Sequence, residues 1–235
     1  MDEIVGGVRT PSHEFYVDAA LKAAKTPPSA YWTLDEYLTC SRYRRCAAVY
    51  KDLITHYAPG NIGIYGCSAG GVLTAQAVAW FQKEKLPRPG AIGIFCIGAG
   101  APPAGDSRHT EGLLDASMGL AASPPPAKPD PAPIPMSYFK GVNMADPLVS
   151  PLVSPAILSN FPPTLLATGT RDLGLSAVVH THAELVKAGV DADLHVWGGM
   201  GHNFLIEMDL PESREAYNVI TKFFASRLGK SGKER

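Results

Sequence analysis

Ser68 stands in the run Gly66-Cys67-Ser68-Ala69-Gly70, between a short apolar segment and a helix-like one. A serine hydroxyl alone is a poor nucleophile. It needs a base to take its proton and a carboxylate to orient that base. Residues with that chemistry follow in two later loops: "TRDLGLS" offers Asp172 and "GMGHNF" offers His202. A Gly-x-Ser-x-Gly pentapeptide by itself says little. Here it follows an expected strand and opens an expected helix, the setting of a nucleophile elbow. The glycines allow a sharp turn that lifts the hydroxyl above the sheet edge. The helix N-terminus behind Ser68 brings N–H groups and a favourable dipole to a developing oxyanion, with the Ala69 N–H as one donor. Asp146 is a second candidate for the acid, although its place before Pro147 suits a residue that serves its own turn.

Such residues must be held at one edge of a sheet, on loops that follow its strands. "NIGIYG" (61–66) is short, branched and apolar, as a buried strand should be. The run from 71 to 81 is apolar on nearly every side and predicts a buried helix. "AIGIFCI" (91–97), "PTLLATG" (163–169) and "DLHVWG" (193–198) predict three more strands. Further helices are expected at 11–25, at about 46–57, at 176–189 and at 212–229. In the second of these Val49, Tyr50, Leu53, Ile54 and Tyr57 recur at helical spacing, and Pro59-Gly60 ends it. The third has Gly189 near its C-cap; the last should turn Tyr217, Ile220, Phe224 and Leu228 inward. Strand–helix alternation with continuously apolar strands predicts an α/β fold, a mostly parallel sheet with helices on both faces. Residues 102–140 break the rhythm, with prolines dense over 102–136. The same alternation lies on both sides, so this stretch is expected to be a surface insertion in a single domain spanning 1–235.

Composition narrows the function. Apolar residues make up 46% of the 235, enough for a sizeable core. With 21 basic and 22 acidic residues and no basic block, neither nucleic acid nor an acidic membrane surface is an expected partner. "MDEIVGGVRT" has acid where a signal peptide carries lysine or arginine, and no stretch approaches the ~18 apolar residues of a membrane span. A soluble, cytoplasmic protein is expected. Cys40, Cys46, Cys67 and Cys96 lack zinc-like spacing and read as reduced thiols. Cys67, beside Ser68, invites a redox reading; a buried small residue is preferred. His180 and His182 are two apart on a helix and do not share a face, so no metal is expected, and no cofactor either. A nucleotide-binding reading fails on spacing: the glycines match neither Gly-x-Gly-x-x-Gly nor a P-loop, and no lysine follows.

Three motifs together resemble the hormone-sensitive-lipase-like branch of the α/β-hydrolases, the bacterial carboxylesterases. That branch reads Gly-Asp-Ser-Ala-Gly-Gly at the elbow, where this chain has "GCSAGG". It carries Asp-Pro-x-x-Ser-Pro before the seventh strand, matched by "DPLVSP" at 146–151, and Gly-Met-x-His-x-Phe at the histidine, matched by "GMGHNF" at 199–204. The resemblance covers roughly 47 to 229, and the order Ser, Asp, His is that of the α/β-hydrolases. It implies that Ser68 is the nucleophile, His202 the base and Asp172 the orienting acid, acting on small acyl esters. The loop "LGLS" after Asp172 lacks the acidic residues common there.

Two departures stand out. The family's His-Gly-Gly-Gly oxyanion loop is missing from this chain. The segment "VGGVRTPSHEFYVDAALKAAKT" resembles the family's chain just downstream of that loop, so Met1 falls about where the loop should be. The resemblance places the first three strands and the cap helices upstream. Residues 27–46 have the right length but not the Val-Asp-Tyr-Arg pattern of the family, as expected of an out-of-frame reading bounded by two compensating shifts. Loss of neighbouring strands would expose a sheet edge and leave a homodimer across it open. Two functions therefore compete: a carboxylesterase acting through an acyl-enzyme, and a non-catalytic remnant of the same fold.

Overall fold

The computed structural model describes residues 41–100, 105–107 and 142–229. The expected helix at 11–25, most of the 27–46 segment and most of the 102–140 insertion lie outside the described residues. The described chain runs α1 (Ser41–His56), β1 (Gly63–Cys67), α2 (Ala69–Lys83), β2 (Ala91–Phe95), α3 (Pro155–Leu158), β3 (Thr164–Arg171), α4 (Leu175–Lys187), β4 (Ala192–Gly201) and α5 (Pro211–Arg227). The four strands form one sheet in the order β1-β2-β3-β4, and every neighbouring pair is parallel.

The parity of the strands decides what each face holds. Ile92, Ile94 and Leu166 pack with Val72, Ala75 and Val78 of α2 and Val178 and Leu185 of α4. Ala91, Phe95, Leu165 and Ala167 point the other way and pack with Ala216, Ile220 and Phe223 of α5. Helices therefore cover both faces, which is why all five residues of β2 are buried and why its sequence shows no polar alternation. In α5, Ile220 is buried as expected while Tyr217, Phe224 and Leu228 lie at the margin; Phe223 takes the inner place that the periodicity had assigned to Phe224.

Helix α2 is apolar around its circumference because it has two partners. Its Val72 and Val78 meet the sheet, while Ala77, Trp80 and Phe81 meet Ala47 and Tyr50 of α1. Helix α1 already includes Ser41, upstream of the apolar spacing at 46–57, and Tyr57 beyond its end is 60% exposed. Tyr50 is the anchor of that contact. Its ring stacks on Phe81 with centroids 4.3 Å apart, and its hydroxyl donates to the Pro87 carbonyl at 2.9 Å. Burial pushes the Tyr50 phenol from 10.0 up to about 12. A group whose folded pKa is raised contributes stability that is present below its unfolded value and lost as pH climbs through the folded one. Denaturant midpoints should therefore fall between pH 10 and about 12 more steeply for the wild type than for Tyr50→Phe. Parallel slopes would show that the phenol is not held neutral by the fold.

Helix α4 ends as the glycine predicted. Gly189 has φ +79°, and the Val190 N–H reaches the Leu185 carbonyl while the Gly189 N–H reaches that of Val186, at 3.0 Å each. This is a Schellman closure, and it needs a residue at ease in the left-handed region. No described helix is long and apolar enough to cross a membrane.

Candidate active site

The turn between β1 and α2 consists of Ser68 alone. Its backbone sits at φ 53°, ψ −121°, a region that costs a residue with a side chain about 1–3 kcal/mol. The surrounding contacts hold it there. The Ser68 N–H donates to the Phe95 carbonyl of β2 at 2.9 Å, and its own carbonyl accepts from Gly71 and Val72 at 2.9 and 3.2 Å. Strand and helix pass so close that a Cβ on Gly66 would lie 2.3 Å from the Gly70 carbonyl carbon and oxygen. On Gly71 a Cβ would meet Ile97 Cγ2 at 2.5 Å, whereas on Gly70 it would meet nothing within 4 Å. The glycines that the packing requires are thus 66 and 71, not both glycines of the pentapeptide. Ala69 opens α2, so its N–H belongs to the first turn, where no intrahelical carbonyl can reach it.

Asp172 follows β3 and is 1% exposed. A buried carboxylate must be hydrogen-bonded. Thr168 Oγ1 donates to Oδ2 at 2.8 Å and the Gly174 N–H donates to Oδ1 at 2.7 Å. The missing acidic residues of "LGLS" are thus no bar to support, which comes from a strand hydroxyl and a backbone N–H. The Gly174 contact has the spacing of an Asx turn, a signal the sequence does carry; nothing in the sequence singles out Thr168. Asp146 is engaged elsewhere: its Oδ1 accepts from the Leu148 N–H at 2.9 Å and its carbonyl from Val149 and Ser150.

His202 arrives by way of an irregularity in β4. Between the pairs Gly169–Trp197 and Arg171–Gly201 the two strands lose register, with residues 198–200 bulging from β4. Gly199 takes φ +78° there and donates its N–H to Thr170 Oγ1 at 2.8 Å. Bulges re-aim the residues that follow them. Here the result is an imidazole with Nδ1 2.8 Å from Asp172 Oδ1 and Nε2 2.8 Å from Ser68 Oγ. Both flanking groups set the tautomer. A carboxylate only accepts, so Nδ1 carries the proton, and Nε2 is left to accept from the serine hydroxyl. Ser68, His202 and Asp172, far apart in sequence, form one hydrogen-bonded line.

Cys67, expected to be buried, is half-buried instead, and its Sγ donates to Asn203 Oδ1 at 2.9 Å. Asn203 follows His202 and takes a left-handed φ of 59°. A hydrogen bond from Cys96 holds the Cys67 thiol below its ordinary pKa against the opposing effect of burial, and the same bond together with burial pushes Cys96 up. The strand expected at 91–97 stops at Phe95, since Cys96 turns out of it at φ 58°. His180 is exposed, and His182 Nε2 lies 3.1 Å from the Ala192 carbonyl.

A family model described as alpha/beta hydrolase fold matches residues 38–206. No curated protein sequence matches the chain. Among solved structures, an esterase E25 is 28% identical with a TM-score of 0.68, covering 91% of this chain and 64% of its own. An esterase from the bacterial hormone-sensitive lipase family is 29% identical with a TM-score of 0.66, covering 80% of this chain and 60% of its own. An esterase/lipase from an uncultured bacterium, 22% identical with a TM-score of 0.66 over 79% of this chain and 59% of its own, shares the fold. The chain thus spans 59–64% of the length of these structures.

Proposed function

Because this chain belongs to the alpha/beta hydrolase fold family, we propose that it is a serine hydrolase that cleaves small carboxylic esters through an acyl-enzyme. The observation that carries this reading is the unbroken line from Ser68 Oγ to His202 Nε2 and from Nδ1 to Asp172 Oδ1, with 2.8 Å at each link. In the proposed reaction Ser68 Oγ attacks the ester carbonyl carbon while its proton passes to His202 Nε2. The carbonyl π electrons move onto oxygen, and the Ala69 N–H at the start of α2 donates to the resulting oxyanion. Collapse expels the alcohol, which leaves with the proton from Nε2. Water then gives a proton to Nε2 and its oxygen to the acyl carbon, and release of the acid returns Ser68 to its hydroxyl form. Asp172 Oδ1 accepts from Nδ1 throughout and stabilises the imidazolium. Esterase structures of 28% and 29% identity support an ester as the substrate class. The cytoplasm is proposed as the location.

A second reading, a binding-only protein, has one observation in its favour: the chain contains no His-Gly-Gly-Gly run to supply further oxyanion donors. The two readings separate with a labelled fluorophosphonate and the p-nitrophenyl esters of acetate and butyrate. Covalent labelling that maps to Ser68, together with ester turnover, is the expected result. Folded protein that neither labels nor hydrolyses would remove the enzyme reading and leave the binding one.

A further inference from the structure

Helix α4 begins at Leu175 immediately after the Asp172 turn, and its N-cap residue, Gly174, has no side chain with which to cap it. No other residue fits: a Cβ at 174 would lie 2.3 Å from the Cys96 carbonyl oxygen. The first-turn N–H groups still need acceptors. One is supplied from far back in the chain. Ser107 Oγ accepts from the Ser176 N–H at 3.0 Å and donates to the Leu173 carbonyl at 2.8 Å. In return the Ser107 N–H donates to Ser176 Oγ at 3.1 Å, and the Ser176 hydroxyl donates to Asp106 Oδ1 at 2.5 Å. Gly105, at φ +119°, passes so near that a Cβ there would lie 2.2 Å from Ser176 Cβ. The exchange has the reciprocity of a capping box, but its two halves come from segments 69 residues apart. Ser107 is 7% exposed, so water does not easily replace these bonds.

The position of this clamp gives it a consequence for the site. Residues 173 and 174 lie between Ser107 and Asp172: the Leu173 carbonyl is held by the Ser107 hydroxyl, and the next N–H, that of Gly174, is the one that donates to Asp172 Oδ1. That same oxygen meets His202 Nδ1. We propose that Ser107 is a positioning residue for the Ser68–His202–Asp172 line, its hydroxyl fixing the 173–174 turn so that the Gly174 N–H stays on the carboxylate that orients His202. The proposal rests on the hydrolase reading above. It ties the segment after β2 to the acid of the site.

The test compares Ser107→Ala and Ser107→Thr with the wild type by two readouts. One is kcat and KM for p-nitrophenyl butyrate. The other is the downfield proton resonance of His202 Nδ1–H, which reports the bond to Asp172 without turnover. S107A should lower kcat about tenfold with KM within about twofold, as misplacement of a group that does not touch substrate would. It should also shift or broaden the resonance. S107T keeps the hydroxyl and should keep both values. In an Asp172→Asn background S107A should cost nothing further, because the two changes act through one bond. An unaltered resonance in S107A, an equal loss in S107T, or a full tenfold loss on top of D172N would each overturn the positioning role. If the wild type turns over no ester, the hydrolase reading fails, and the resonance by itself decides the role of Ser107.

Discussion

Ser68→Ala should lower kcat for p-nitrophenyl butyrate about 10⁴-fold and leave KM nearly unchanged. The magnitude follows from two opposing considerations. In serine hydrolases with a full oxyanion site, loss of the nucleophile or base costs about 10⁶ in kcat. The sequence holds no His-Gly-Gly-Gly run, and removal of one oxyanion donor costs about 10²-fold, so less is expected to be lost here. Substrate binding does not depend on the hydroxyl, and Ala leaves the backbone at φ 53° as it was, so KM and the melting temperature should hold. His202→Ala should cost as much, since Nε2 is the acceptor 2.8 Å from Oγ. The double variant should cost no more than either alone, because the two groups act as one unit. The decisive measurement is the rate of each variant against the uncatalysed background. Equal rates in wild type and S68A would remove the nucleophile role outright.

Gly66→Ala should be one of the most costly single changes at the site for the fold. Its Cβ would stand 2.3 Å from the Gly70 carbonyl carbon and oxygen, against 3.4 Å or more for an ordinary contact. The obstacle is backbone in the first turn of α2, and that helix is packed between the sheet and α1, so it has nowhere to move. Overpacking of this kind costs about 3 kcal/mol or more, a large share of the stability of a typical domain. Urea or thermal unfolding should show a much lowered midpoint, or the protein should fail to accumulate in soluble form. Gly70→Ala makes a sharp contrast. Nothing lies within 4 Å of its Cβ position, its φ is not positive, and it sits inside the helix. Alanine there should raise stability by about 0.5–1 kcal/mol. A G66A variant that melts with the wild type would mean that the strand–helix approach is looser than the 2.3 Å contact requires.

Much of this architecture is legible in the residues alone, for identifiable reasons. β2 and β3 are read from continuous apolar runs because both of their faces are covered, and α2 is read as buried because it is apolar all round. Gly189 marks the end of α4 because only a residue comfortable at φ +79° closes that turn. Boundaries are less visible. The turn out of β2 carries no mark in local composition: Cys96, not a glycine, takes φ 58° there.

The same division holds at the candidate site. Residue types and loop order bring forward Ser68 and His202 with two candidate acids, Asp172 and Asp146, and the family resemblance points to Asp172. Several other features were decided only by the folded chain. Asp172 rather than Asp146 meets His202, because Asp146 closes its own turn on Leu148. The bulge at 198–200 aims the imidazole at the serine, and Thr168, Gly174 and Ser107 support the acid loop. These are matters of hydrogen-bond distances between segments as much as 134 residues apart. Sequence spacing carries no record of such distances; the close packing of strand, helix and loop creates them.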